Sequence, residues 1–166
     1  GDGARVAVLG CGTSSLSVDL WRAFRVPVHS FDFSEHAVRL MQGLAPRGEL
    51  TWEVADICSD DWPAAMPGAA TAVVDKGASD AVVSDADSAA ERMAMLRRRV
   101  LDALAPGTGA WIVVSHSPPA SRLDHLCPHL AQTRAARNLE LRDAAAEAKA
   151  ALTKRAIAAA MAAATA

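Results

Sequence analysis

The sequence predicts an α/β domain built on a doubly wound, mostly parallel sheet of about five strands. Three observations predict it. Apolar runs alternate with helical patterns from about residue 4 to residue 115, the signature of successive βαβ units. The first run, Val6-Ala7-Val8-Leu9, breaks abruptly into Gly10-Cys11-Gly12 and then into helix-compatible residues. Asp32 follows 22 residues after Gly10, at the close of the second apolar run. Strand, glycine turn, helix, strand and acid, in that order, make a half-domain that holds a nucleotide-like molecule at the strand tips.

The elements follow in turn. The first strand is about Ala4 to Leu9, and the first helix runs from near Ser14 to Phe24 with Leu16, Leu20 and Phe24 on one face. The second strand is Pro27 to Asp32. Ser34 then serves as an N-cap, its hydroxyl accepting from the orphan amides of a second helix, whose apolar contacts are Val38, Leu40 and Met41. The third strand, Leu50 to Val54, leads into Ala55-Asp56-Ile57, and a loop with Pro63, Pro67 and Gly68 comes next. The fourth strand is Thr71 to Val74, ending in Asp75-Lys76-Gly77. A long helix spans Asp87 to Leu104, with Met93, Leu96, Val100, Leu101 and Leu104 recurring at helical spacing and Pro106-Gly107 as its stop. The fifth strand, Ala110 to Ser115, reads as a short buried run. Residues 134–166 form an alanine-rich segment of high helix propensity with few large apolar side chains. The domain organisation is therefore a sheet domain over 1–133 and a helical tail over 134–166.

The strand ends carry the chemistry. Gly10 and Gly12 allow the sharp strand-to-helix turn that residues with a β-carbon resist, and they let a ligand approach the main chain. The following helix start offers unpaired amides and the positive end of its dipole. Asp32 is placed to accept from two vicinal ribose hydroxyls. A dinucleotide site wants a third glycine where Ser15 stands, which disfavours a nicotinamide oxidoreductase, and no phosphate-cradling GxxxxGK[ST] pattern occurs. Two glycines without a pyrophosphate device fit an adenosine bearing a charged amino-acid tail, as in S-adenosylmethionine. Gly10, Asp32, Asp56, Asp75 and Ser115 all fall at or just beyond strand ends, where ligands bind in such sheets.

Composition excludes several classes. The net charge of −2 across 166 residues argues against a general polyanion binder, and Arg97-Arg98-Arg99 reads as a solvated helix face rather than a nucleic-acid patch. Three cysteines without framework spacing read as reduced thiols of a cytoplasmic protein. No apolar run reaches the roughly 20 residues of a membrane span, and no secretory leader is read. His125, Cys127 and His129 form one local cluster without a partner motif, so no metal site is predicted.

The stretches VLGCGTSSLS, FDFSEHAVRLMQ, WEVADICSDDWP and VVDKGASDAVVSD resemble class I S-adenosylmethionine-dependent methyltransferases. They are similar in particular to the group that includes lysine methyltransferases of translation elongation factor 1-alpha, which carries GCGNS, DxS and DKGTLDA where this chain has GCGTS, DFS and DKGASDA. A late P-x-x-R-x-x-H element is matched by Pro119, Arg122 and His125. The resemblance spans about residues 4–126. It implies a Rossmann-like fold with S-adenosylmethionine as cofactor and methyl transfer to a protein lysine. Gly10, Cys11 and Gly12 are then expected to line the methionine end, Asp32 to hold the ribose, Phe33 to pack near the adenine, and Asp56 to accept from its amino group with Ile57 alongside. Asp75 and Lys76 are expected to bind the cofactor, bordering its methionine moiety and the acceptor entrance, with Asp75 orienting the amine or taking its proton, and Arg122 and His125 are expected on the substrate rim. Asp75 as a cap of the next turn is the competing expectation. Members of that family open with an N-terminal helical segment and close with an antiparallel hairpin, and neither is read in this chain. A small-molecule methyltransferase and a non-catalytic binding module are the alternatives.

Overall fold

The computed structural model describes residues 3–44, 48–59, 62, 66, 68–84 and 87–127. Five strands form one sheet: β1 Val6–Leu9, β2 Val28–Asp32, β3 Leu50–Val54, β4 Ala72–Lys76 and β5 Ala110–Val114. Every pairing is parallel, and the order is β3-β2-β1-β4-β5. The order reverses at β1, which lies between β2 and β4. The helices are α1 Leu16–Phe24, α2 Glu35–Leu44, α3 Ala78–Val82, α4 Ala89–Ala103 and α5 Pro119–Leu126. Gly1–Ser117 form one compact unit, and a second begins at Pro118 and contains α5. The alanine-rich segment and the expected boundary at 133/134 lie outside the described residues.

Burial explains the sheet. All four β1 residues are buried, as a central parallel strand covered on both faces requires. Val6, Val8, Val28, Leu50 and Trp52 pack with Val38 and Met41 of α2. Between α1 and β2 the buried Ser30 hydroxyl donates to that of Ser17 at 2.7 Å, which satisfies both polar groups where an isolated one would be costly. Ser34 caps α2, its hydroxyl accepting from the Ala37 amide at 3.3 Å. At the end of α1, Arg25 adopts the left-handed conformation with φ 53°, donates its amide to the Trp21 carbonyl at 2.8 Å and lays its guanidinium over the Trp21 ring at 4.7 Å.

The structure departs from the sequence-based expectations in particular places. In α4, Met93, Leu96 and Val100 are buried as expected, but Ala103 completes the stripe while Leu101 is 67% exposed. Phe24 of α1 and Leu40 of α2 also face solvent. Each stands outside the buried stripe of its helix. β5 was expected to be buried, yet Val114 is exposed and its neighbours are only half-buried, because β4 is its one partner strand among the described residues. β4 runs two residues further than predicted, through Asp75 and Lys76, because its pairing with β5 continues to Lys76 opposite Val114. α3 and α5 were not predicted at all.

Candidate functional site

A cavity of about 460 Å³ opens beyond the carboxyl ends of β1, β2, β3 and β4. Gly10 borders it after β1, Asp32 and Phe33 at the end of β2, Ala55, Asp56 and Ile57 after β3, and Lys76, Gly77 and Ala78 at the β4–α3 turn. Ala81 and Val82 of α3 and Arg92 of α4 complete the wall. Four consecutive strand tips thus deliver their first loop residues to one space, as the reversal of strand order at β1 demands. The volume lies within the roughly 300–1,000 Å³ usual for cofactor sites.

The glycine turn has a defined geometry. Gly10 has φ +54°, and a β-carbon there would stand 2.8 Å from the Ala78 β-carbon, a contact that no packed pair of carbons tolerates. Gly12 has φ +52° but open space around it, so its requirement is conformational rather than steric. The Gly12 amide donates to Asp32 Oδ2 at 2.7 Å and the Ser34 amide to Oδ1 at 2.8 Å. Two backbone amides therefore aim the Asp32 carboxylate, which is only 6% exposed. Each carboxylate oxygen keeps a further lone pair, so the group remains able to accept from a diol in the cavity. The Gly12 amide is spent on Asp32, whereas the sequence placed it among groups facing the ligand.

The other expected residues fall as follows. Phe33 and Ile57 line the cavity, and Phe33 holds its ring 80% exposed at the mouth. Cys11 is buried and lies outside the residues that line the cavity. Burial, together with the Asp32 carboxylate, pushes its thiol up to about 11, so it is a neutral packing group near pH 7. Asp56 lines the cavity and accepts from the Cys58 amide at 2.9 Å and from Arg92 Nη2 at 3.5 Å. Lys76 also lines it. Asp75 has no exposed surface and is absent from the wall. Its Oδ1 accepts from the Ser79 amide at 3.1 Å, which ties the end of β4 to α3. Burial raises its pKa above the usual 3.8, and hydrogen bonds from Ser79 and Ala78 oppose the rise. Arg122 and His125 lie on α5, in the second unit.

Sequence reasoning missed two participants. Arg92 stands 36 residues after Asp56 on the polar side of α4, and no local pattern links them. Asp80 of α3 accepts from the Ser115 hydroxyl at 2.6 Å and the His116 amide at 2.9 Å, fastening the end of β5. The sequence marks Ser115 as a strand-end residue, but its partner lies on a helix that the sequence does not predict. Among the described residues no group of three His, Cys, Asp or Glu side chains is arranged to hold a metal ion, and no helix is long and apolar enough to cross a membrane.

No family model matches the chain. It is similar to EEF1A lysine methyltransferase 4 of Mus musculus, with 37% identity over 81 residues, which is 48% of this chain and 31% of that protein. In solved structures it resembles an S-adenosylmethionine-dependent methyltransferase from Mesorhizobium loti, with TM-score 0.54 and 25% identity over 67% of this chain and 45% of the other. A phosphoethanolamine N-methyltransferase 2 of Haemonchus contortus, in complex with phosphomonomethylethanolamine and S-adenosylhomocysteine, aligns with TM-score 0.52 and 20% identity over 75% of this chain and 29% of that one. The chain thus spans about a third of the length of its curated relative and less than half of these structural neighbours.

Proposed function

We propose that this chain, which has the Rossmann-like fold of the class I S-adenosylmethionine-dependent methyltransferases, binds S-adenosylmethionine beyond β1–β4 and directs its methyl group to a lysine side chain of a protein. The observation that carries the reading is the Asp32 carboxylate on the cavity wall, held by two backbone amides and left with lone pairs that a ribose diol could use. When bound, the cofactor supplies a methyl carbon on a sulfonium, open to in-line attack. The chain supplies position. Asp32 fixes the ribose, Asp56 accepts from the base, Phe33 covers it, and the bare surface at Gly10 lets the amino-acid tail lie against the main chain. Holding the reacting atoms in line supplies several kcal/mol of barrier reduction.

A lysine acceptor must lose its proton, against a free pKa of about 10.4. Lys76 on the wall is a cation that favours a neutral amine beside it. Asp75 is too deep to take that proton, and in this reading it caps α3. The lysine acceptor is supported by the likeness to the elongation-factor methyltransferase and by the DKG element at Asp75-Lys76-Gly77. The likeness to a phosphoethanolamine N-methyltransferase favours a small amine as the second reading.

Calorimetric titration of the chain with S-adenosylmethionine and S-adenosylhomocysteine, followed by transfer of tritiated methyl to lysate proteins and amino-acid analysis, tests both parts. Binding of both compounds and radiolabelled methyl-lysine are expected. Absence of binding removes the cofactor assignment, and label confined to small amines removes the lysine.

A further inference from the structure

We infer that Arg92 is a recognition residue for the base of the nucleoside, and that with Asp56 it forms an acceptor–donor pair set for the amino edge of a 6-aminopurine. The inference rests on the cavity being an adenosyl-cofactor site, as proposed above.

Asp56 and Arg92 come from different elements, the loop after β3 and the first turns of α4, and both line the cavity. Asp56 is oriented by its own turn, because its Oδ1 accepts from the Cys58 amide at 2.9 Å. It does not need Arg92 to hold it there. The Arg92 Nη2–Asp56 Oδ1 contact is long, 3.5 Å, between side chains that are 44% and 43% exposed. A pair of that length and exposure adds little to folding. Its placement on the wall is therefore better explained by what it presents to a ligand.

A carboxylate only accepts hydrogen bonds, and a guanidinium only donates them, through five N–H groups of which the Asp56 contact uses one. Side by side they offer an acceptor next to a donor. A 6-aminopurine presents the complement: the exocyclic N–H donors beside a ring nitrogen that accepts. A 6-oxopurine reverses both, setting its carbonyl oxygen against the carboxylate and, on the pairing edge, a ring N–H against the guanidinium. Such a polar pair discriminates because a mismatched ligand sets acceptor against acceptor and donor against donor. Burial drives the Cys58 thiol up while the adjacent Arg92 opposes that rise, so the guanidinium also lies against the loop that carries Asp56.

Titration of the chain with S-adenosylhomocysteine and with its 6-oxo counterpart, S-inosylhomocysteine, tests the assignment on wild type, Arg92→Ala and Arg92→Lys. Thermal unfolding of each variant confirms that it is folded. Wild type is expected to prefer the adenosyl compound. Arg92→Ala is expected to weaken that compound about tenfold, as for loss of one charge-assisted hydrogen bond, while changing the inosyl compound less than about twofold. Arg92→Lys, which keeps the charge but not the planar fork, is expected between the two. Equal losses for both compounds, or no loss for either, would overturn the role of Arg92. Failure of wild type to bind either compound would instead remove the cofactor site on which the inference stands.

Discussion

Two aspartates flank β1 at the same end of the sheet, one on β2 and one on β4, and the difference between them is a matter of one residue of depth. Leu9, the last residue of β1, pairs with Phe31 on one side and Asp75 on the other. Asp75 is thus level with the tip of the central strand, and Asp32 stands one residue beyond it. A one-residue step along a strand also turns the side chain to the opposite face. Asp32 reaches the cavity, where two amides meet its two oxygens. Asp75 is shut in, with one oxygen bonded to the Ser79 amide and burial raising its pKa. An acid after an apolar run is therefore not a ligand-binding acid by virtue of the pattern. Its register against the neighbouring strand decides.

The contrast breaks most easily at Asp32. Asp32→Ala should weaken S-adenosylhomocysteine binding about 100-fold or more, since two charge-assisted hydrogen bonds of about 1.5–3 kcal/mol each are lost. Asp75→Asn should leave that affinity within about threefold, judged against the same figures. Equal calorimetric losses in the two variants would erase the distinction.

Gly10→Val tests the seam between the two sides at intermediate size. Its side chain would enter the space held by Ala78 and would have to keep a left-handed backbone, so urea unfolding should show a loss of about 1–3 kcal/mol or more. Gly12→Ala meets only the backbone cost and should lose less, about 1 kcal/mol.

The smallest effect is a pH dependence. Because the folded chain raises the Asp75 pKa, the native state binds its proton more tightly than the unfolded state does. Stability from this group is then highest in acid and falls as pH rises through the window that begins near 3.8. Asp75→Asn keeps an acceptor for the Ser79 amide and removes the titration. Its urea midpoints should fall less than those of wild type across that window and should be no lower than wild type at neutral pH.

Much of this was readable from residues alone where the signal was local. β3 matches its expected limits, and β1 and β2 lie within theirs, because apolar runs bounded by turns define parallel strands. Ser34 caps α2 because a hydroxyl in that position meets the orphan amides directly. Asp32, Phe33, Asp56, Ile57 and Lys76 reach one cavity because each stands at or just past the carboxyl end of a strand whose direction the βαβ rule fixes. What escaped was tertiary. Asp75 and Lys76 read as loop because charged residues seldom extend a central strand, yet β5 pairs with them. α3, the five residues that follow Gly77, is too short to show a period. Leu101 could not be told from Val100 as the inward residue until the helix met the sheet. Arg92 shares no motif with Asp56, since only the packing of α4 brings them together.

Gly10 and Ala78 meet face to face with nothing but hydrogen on one side. A β-carbon at Gly10 would have to be answered by a retreat at Ala78. Asp80, two residues past Ala78, in turn accepts from the Ser115 hydroxyl and the His116 amide. A missing methyl group thus lets the loop after β1 close on α3, which is itself tied to the end of β5.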